Sequence, residues 1–460
     1  MPLCSQRIGR HVRSLPVVLA LALLPQAVTA QTLEEALVQT YMDNPTIEAA
    51  RANLRATDEG VPQALSNWRP TVALSGSYGK RALDTTLASG ATTDTTTTPR
   101  DIELSVTQPV FRGFRTVAET SQARNLVAAG RASLIGTEQS VLLDTVTSYA
   151  DVVRTSAVVR LRESNVRVIQ RQLEATNDRF RVGELTRTDV AQAESRLARA
   201  KADLVGAQGD LEAARAQYRQ SVGSDPGDLV QPPTPTALPP GEDAAKAQAE
   251  ANNPRVVEAE FTERAARDSV ELVFGQLLPS VSLTGAASRD RDVSGANVER
   301  DSLSVTANVS VPLYQAGDIS SQVREAKQTA SRRLSLLAEA RRNAVQTATA
   351  SWTDFTAARA SIASFEAEVR AQEVAFDGVQ QEANVGSRTV LDVLDAEQEL
   401  LNARVNLVGA RRNELVAAYE LLASVGRLTA QDLRLPVAYY DPTVNYDRVE
   451  DRIYGTDISR

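Results

Sequence analysis

Val385–Leu407, VGSRTVLDVLDAEQELLNARVNL, is the stretch on which the reading of this chain turns. It opens on Val-Gly, a turn signal, and continues as a helix whose start is acidic, the charge that a helix N-terminus favours. A second copy lies earlier in the chain: Val182–Leu204, VGELTRTDVAQAESRLARAKADL. Gly183 matches Gly386, Asp189 matches Asp392, Ala193 matches Ala396, Glu194 matches Glu397 and Leu197 matches Leu400, at a constant offset of 203 with no gap. Two matched turns in one chain imply a duplicated architecture.

The flanks extend the duplication. Before each turn runs a proline-free helical stretch, from about Phe114 to Arg181 and from about Asp318 to Asn384. Each holds about 67 residues and so reaches roughly 100 Å. That length is coiled-coil-like rather than globular. After each turn a return helix runs to Ser221-Val222-Gly223 or Ser424-Val425-Gly426. These helices are rich in Ala, Ser, Thr, Gln and Arg, as in SWTDFTAARASIA at Ser351–Ala363. With few large apolar residues they cannot wrap a thick core, and they suit a thin curved wall of side-by-side helices.

Ahead of the long helices the period changes to two. Val72, Leu74, Gly76 and Tyr78 alternate with Thr71, Ala73, Ser75 and Ser77, and Val281, Leu283 and Gly285 alternate with Ser280, Ser282 and Thr284. Polar tips follow, Asp84–Pro99 and Asp290–Arg300. The returning strands place Ile102, Leu104 and Val106, then Leu303, Val305, Ala307 and Val309, on one face. Strands of about ten residues with this alternation fit a membrane β-barrel, apolar outward and polar inward; an ordinary soluble hairpin with one wet face fits them too. Four strands cannot close a barrel, since closure takes about eight, so membrane strands here require several chains to share one barrel: twelve strands from three copies or eight from two. Each strand pair is preceded by short helices that break at Asn44-Pro45 and Asn253-Pro254. The first copy's second helix is expected to run from there to about Asn67.

The first thirty residues carry Arg7, Arg10 and Arg13, a short apolar core at Val17–Leu24 and a small-residue site at Val28-Thr29-Ala30, the pattern of a cleaved secretory leader. Cleavage after Ala30 removes Cys4 and His11, the chain's one Cys and one His. Disulfides, Cys/His metal sites and imidazole-dependent nucleophilic catalysis are then excluded, and no cofactor is expected. Loss of three arginines with no acid takes the formal charge from −8 to −11, unsuited to nucleic-acid binding. The expected organisation is a leader at 1–30, a first repeat at 31–225, a proline-rich linker at 226–241, a second repeat at 242–427 and a tail at 428–460. The linker holds QPPTPTALPP, Gln231–Pro240.

Paired strands, a long helix, a Val-Gly turn and a return helix, twice over behind a leader, resemble the TolC family of outer-membrane efflux and secretion channels. The resemblance spans essentially the whole mature chain, and VGSRTVLDVLDAEQELLNA carries it most specifically. The tail, with LPVAYYDP and NYDRV, is similar to that of type I secretion members. What the family implies is a mainly α fold with a membrane β-barrel portion, built as a homotrimeric α-barrel on a shared twelve-stranded β-barrel. Such a channel sits in the lipid of a Gram-negative outer membrane, extends into the periplasm, and works with a periplasmic adaptor and an inner-membrane ABC or RND transporter. The resemblance also implies roles at the turns. Asp392 and Asp395 would ring a narrow entrance as gate and selectivity residues, Gly183 and Gly386 would make the turns, and Arg388 would link across to Thr188 and Asp189. The family's Tyr three residues before the second Gly is replaced here by Ala383.

Plainer readings stand beside these. Asp392 and Asp395 suit a helix start, Thr188-Asp189 suits a cap, and Arg388 suits a solvated surface. Asp395 is matched by Gln192 in the first copy, so a helix start alone does not require it. Spacing of three puts both carboxylates on one helix face. Six of them from three chains would attract cations and titrate above their ordinary values. Acid/base catalysis by the pair would need an aromatic-lined cleft, and aromatics are 4% of the chain. A periplasmic coiled-coil adaptor explains a long helical hairpin but leaves the strand pairs unexplained.

Overall fold

The computed structural model describes residues 31–293 and 297–458. The expected leader, with Cys4 and His11, lies outside the described residues.

Capping chemistry starts the chain. Thr32 and Glu35 form a reciprocal capping box on α1 (Leu33–Asp43). Asn44 then ends α1 and caps α2 (Pro45–Asp58), with Pro45 in the first turn, where its missing N–H costs nothing. The expected single helix to about Asn67 is instead split into α2 and α3 (Gly60–Ser66). Pro62 explains the break, since it has no N–H for the Asp58 carbonyl and its ring crowds that carbonyl.

Four strands make one antiparallel sheet. β1 (Thr71–Tyr78) pairs with the later strand β4 (Arg100–Phe111), and between them β2 (Arg81–Thr86) and β3 (Thr92–Thr97) form a separate ribbon. The polar tip expected at Asp84–Pro99 is thus largely a hairpin of its own, in keeping with its β-branched threonines. In the second repeat, ahead of its long helices, β5 (Ser280–Arg291) and β6 (Glu299–Ser310) complete the order β1-β4-β5-β6.

Register aligns the apolar residues in rows. Leu74 faces Leu104, Leu104 faces Ala287, and Ala287 faces Leu303. Val72, Val106, Gly285 and Val305 form the next row. Among the described residues nothing covers this face: Leu74 is 70% exposed and Leu303 85%. The other face carries mainly Ser and Thr, with Asp101, Glu103, Asp290, Arg300 and Asn308 among them.

The two long helices are α4 (Arg115–Arg181) and, in the second repeat, α8 (Asp318–Asn384), each 67 residues long. Their return partners are α5 (Arg187–Val222) and α9 (Val390–Ser424). The second repeat's short helices are α6 (Glu242–Asn252) and α7 (Pro254–Phe274). Asn253 repeats the job of Asn44. Asn44 Nδ2 donates to the Ser221 carbonyl at 2.9 Å, and Asn253 Nδ2 donates to the Ser424 carbonyl at 3.0 Å. Each bond joins the start of a short helix to the end of a return helix, so the two stack end to end alongside their long partner. Where the helices meet the sheet, Gly113 and Gly275 cross so closely that a Cβ on Gly275 would lie 2.4 Å from the Gly113 carbonyl oxygen.

The core is thin and sits midway along the helices. Leu142, Val146, Tyr149, Tyr218 and Leu422 gather in one cluster, and Ala245, Ala249, Ala348, Phe355 and Leu421 in its second-repeat counterpart. Tyr149 Oη donates within reach of the Gln31 and Val230 carbonyls, at 2.9 and 2.7 Å, and burial pushes its pKa up to about 12. The tail lies over this belt. Leu428 and Leu435 enter the core, Asn445 of α10 (Thr443–Val449) donates to Asp58 at 2.7 Å, and Arg124 pairs with Glu450 at 2.9 Å. No described helix is long and apolar enough to cross a membrane.

Candidate functional site: the helical tips

At the far end of each long helix the chain reverses in five residues. Gly183 and Gly386 both sit at φ +83°, a left-handed conformation that favours glycine. Both return helices then begin with the same capping box. The Asp189 N–H donates to Thr186 Oγ1 at 3.3 Å while the Thr186 N–H donates to Asp189 Oδ2 at 2.9 Å. The Asp392 N–H and Thr389 Oγ1 are 3.2 Å apart, and the Thr389 N–H donates to Asp392 Oδ2 at 2.9 Å. The backbone and hydroxyl of Thr186 and of Thr389 hold these two carboxyls below the usual carboxylate range. Elevation of Asp392, expected from like-charge crowding, is therefore not a property of the single chain, where capping dominates.

Each turn is buckled by an ion pair, with the polarity reversed. Arg179 Nε donates to Glu184 Oε2 at 3.1 Å in the first turn, and Arg388 Nε donates to Glu382 Oε2 at 2.8 Å in the second. The expected link from Arg388 to Thr188 and Asp189 does not form within the chain. Arg388 is engaged by Glu382, Asp189 is engaged by Thr186, and Thr188 is exposed. Ala383 is buried beneath the second turn, where its carbonyl accepts from the Gly386 N–H at 3.2 Å. Phe180, its counterpart in the first copy, is exposed.

Asp395 has a partner that the sequence reading missed. Arg196, on α5, makes an ion pair with Asp395 on α9. The pair ties the first repeat to the second across an apolar seam in which Ala193 and Ala200 pack with Val390 and Leu394. One signal was available: Arg196 is matched by Glu399 in the second copy, so two positions where the copies differ in charge, Arg196/Glu399 and Gln192/Asp395, lie one helical turn apart. Asp392 and Asp395 thus share a helix end but differ in state. Asp392 folds back on its own cap, and Asp395 is bound to a cation.

No cluster of three or more possible metal ligands of the His, Cys, Asp and Glu type occurs among the described residues.

The family model for outer membrane efflux proteins matches residues 36–224 and 246–427. This chain belongs to the outer membrane efflux protein family. Among family relatives, the outer membrane efflux protein BepC of Brucella suis is 35% identical over 94% of this chain and 93% of its own length. The outer membrane protein TolC of Escherichia coli is 28% identical, covering 91% of this chain and 87% of its own. In fold, the chain is similar to the outer membrane protein VceC of Vibrio cholerae, with a TM-score of 0.75 at 20% identity over 86% of this chain and 96% of that one. Efflux proteins of this family are channels rather than enzymes, with an α-barrel joined to a β-barrel. The chain is accordingly a Gram-negative outer-membrane protein that extends into the periplasm. The sheet is its β-barrel portion.

Proposed function

We propose that three copies of this chain form a passive conduit across the outer membrane and periplasm, gated at the helical tips. The observation that carries this reading is the sheet. Among the described residues its four strands have an uncovered apolar face, its edges β1 and β6 have no strand partner, and four strands are too few to close. Joining β6 of one copy to β1 of the next satisfies both edges, and three copies give a barrel of twelve. A periplasmic adaptor and an inner-membrane transporter engage the tips and supply the energy, since the conduit has no turnover of its own.

At the tip, three Asp392 carboxylates converge to favour cations, and Asp395 acts chiefly through its bond to Arg196. The link between Arg388 and Thr188-Asp189, not made within one chain, belongs in this reading between neighbouring copies. With Ala383 in place of a tyrosine, the resting gate leans on the Arg196–Asp395 clamp instead. Extraction from outer membranes followed by mass measurement tests the assembly. A trimer is expected, and a soluble monomer would reject the conduit.

A further inference from the structure

Above its apolar rows the lipid-facing side of the sheet changes character. The alternation that places Ile102, Ala287 and Leu303 outward also places Arg100, Arg289, Arg291, Glu299 and Asp301 on that face. Arg289 Nε and Nη2 donate to Asp301 at 2.7 and 3.0 Å, and Arg291 Nε lies 3.2 Å from Glu299 Oε1. Arg100 differs. Its register partner on β5 is Arg291, a like charge, and its partner on β1 is Tyr78. The Arg100 guanidinium lies 5.4 Å from the Tyr78 ring centroid, and no ion pair among the described residues holds it. Like charges directly opposite on neighbouring strands destabilise a sheet. Three arginines against two carboxylates leave this patch positive, and an anion would relieve it.

Position says which anion. Along β5, Val281 and Leu283 begin the outward apolar series, and Arg289 and Arg291 end it. From Val281 to Arg289 is roughly 27 Å along a strand, or about 20 Å of height at the tilt of barrel strands. The arginines therefore stand at the upper edge of an apolar band about 25 Å tall, at headgroup level. These strand ends, at Tyr78, Arg100, Arg291 and Glu299, are the ends away from the helices, so this edge is the outer leaflet. Tyrosine is at home at this depth, and the arginine fork matches phosphate oxygens.

We infer that Arg100 and Arg291, with Tyr78 beside them, form a binding site for the phosphate of an outer-leaflet lipid, one site per chain. The lipid's acyl chains run down the rows of Leu74, Leu104 and Leu303, and its phosphate bridges the two guanidinium groups. The inference rests on the outer-membrane barrel for which face meets lipid, but not on what the conduit carries.

The test uses the full-length protein purified in detergent, with native mass spectrometry to count bound lipid and thermal melting to read its effect. Bisphosphorylated lipid A is expected to bind and to raise the melting temperature, whereas its dephosphorylated form and inorganic phosphate do neither. Arg100→Gln and Arg291→Gln should each weaken retention roughly tenfold, the loss expected for one charge-assisted contact. Without lipid Arg100→Gln should melt at or above the wild type, because the like-charge pair is relieved and no ion pair is lost. Equal binding of the dephosphorylated lipid, equal stabilisation by phosphate alone, or undiminished retention by the double variant would overturn the site. Wild-type protein that holds lipid but conducts no ions would count against the conduit and leave the site standing.

Discussion

Arg196 and Asp395 form an ion pair between α5 of the first repeat and α9 of the second. It is an ion pair at the tips by which one helical hairpin holds the other, and it lies over the small apolar seam of Ala193, Ala200, Val390 and Leu394. The tips separate only if this contact breaks. Both partners are partly exposed, with side chains 33% and 54% accessible, so the bond is in the range of surface pairs, about 0.2–1 kcal/mol. That size suits a latch, since it biases a closed state without locking it.

Removing the latch should open the conduit. Arg196→Ala is expected to raise the open population by a factor of roughly 1.4–5 in single-channel recordings, the factor that about 0.2–1 kcal/mol provides. The swap of Arg196→Asp with Asp395→Arg should restore much of the wild-type gating. If Arg196→Ala gates like the wild type, the pair is a surface ornament and the gate is held elsewhere.

The two aspartates should separate in their effect on cations. Asp392→Asn keeps a side-chain acceptor for the cap but removes a charge that has no cationic partner within hydrogen-bond reach. It should weaken block by divalent cations strongly. Asp395→Asn removes a charge that Arg196 already offsets, so block should change less while the open population rises. Equal loss of block in the two variants would contradict this division of roles.

Much of this was legible in the sequence, and the reason is periodicity. The constant offset between Gly183 and Gly386 located both turns, and the absence of proline delimited helices that fold as 67 residues each. Asn44-Pro45 and Asn253-Pro254 announced their junctions, because an Asn cap followed by proline is a local signal. What stayed hidden was non-local. Arg196 and Asp395 are 199 residues apart, and only the packing of α5 on α9 brings them together. The Thr-rich ribbon of β2 and β3 was obscured because its strands lack an apolar face, so alternation, the usual strand signal, is absent. Asp392 was seen as an acid in the right place, yet its bond to Thr389 follows from the backbone of the turn.

The junction between sheet and helices should tolerate no added bulk at Gly275. Its φ of −57° suits any residue, so an effect of Gly275→Ala cannot come from backbone strain. A Cβ there would meet the Gly113 carbonyl oxygen at 2.4 Å, and backbone does not swing aside as a flexible side chain can. Gly386→Ala meets open space and has only its φ of +83° to contend with, costing about 1–2 kcal/mol. Gly275→Ala should therefore lower the melting temperature more than Gly386→Ala. The reverse order would mean that the Gly113 crossing relaxes easily.

Glu138 should make the tail's attachment sensitive to pH. Its carboxylate accepts from the Ala430 N–H at 2.7 Å, where the tail leaves α9. Burial pushes its pKa up, more than the Ala430 hydrogen bond and the Arg51 charge pull it down, and Asp432 adds to the rise. The folded state thus binds the proton more tightly than the unfolded chain. Its contribution to stability is complete below the unfolded value of about 4.5 and is lost as the pH rises through the folded value. Glu138→Gln keeps an acceptor for Ala430 and removes the buried charge. The variant should melt above the wild type at about pH 7.5, with the difference closing by about pH 4. A variant that melts lower at neutral pH would show that the charge, rather than the hydrogen bond alone, holds the tail in place.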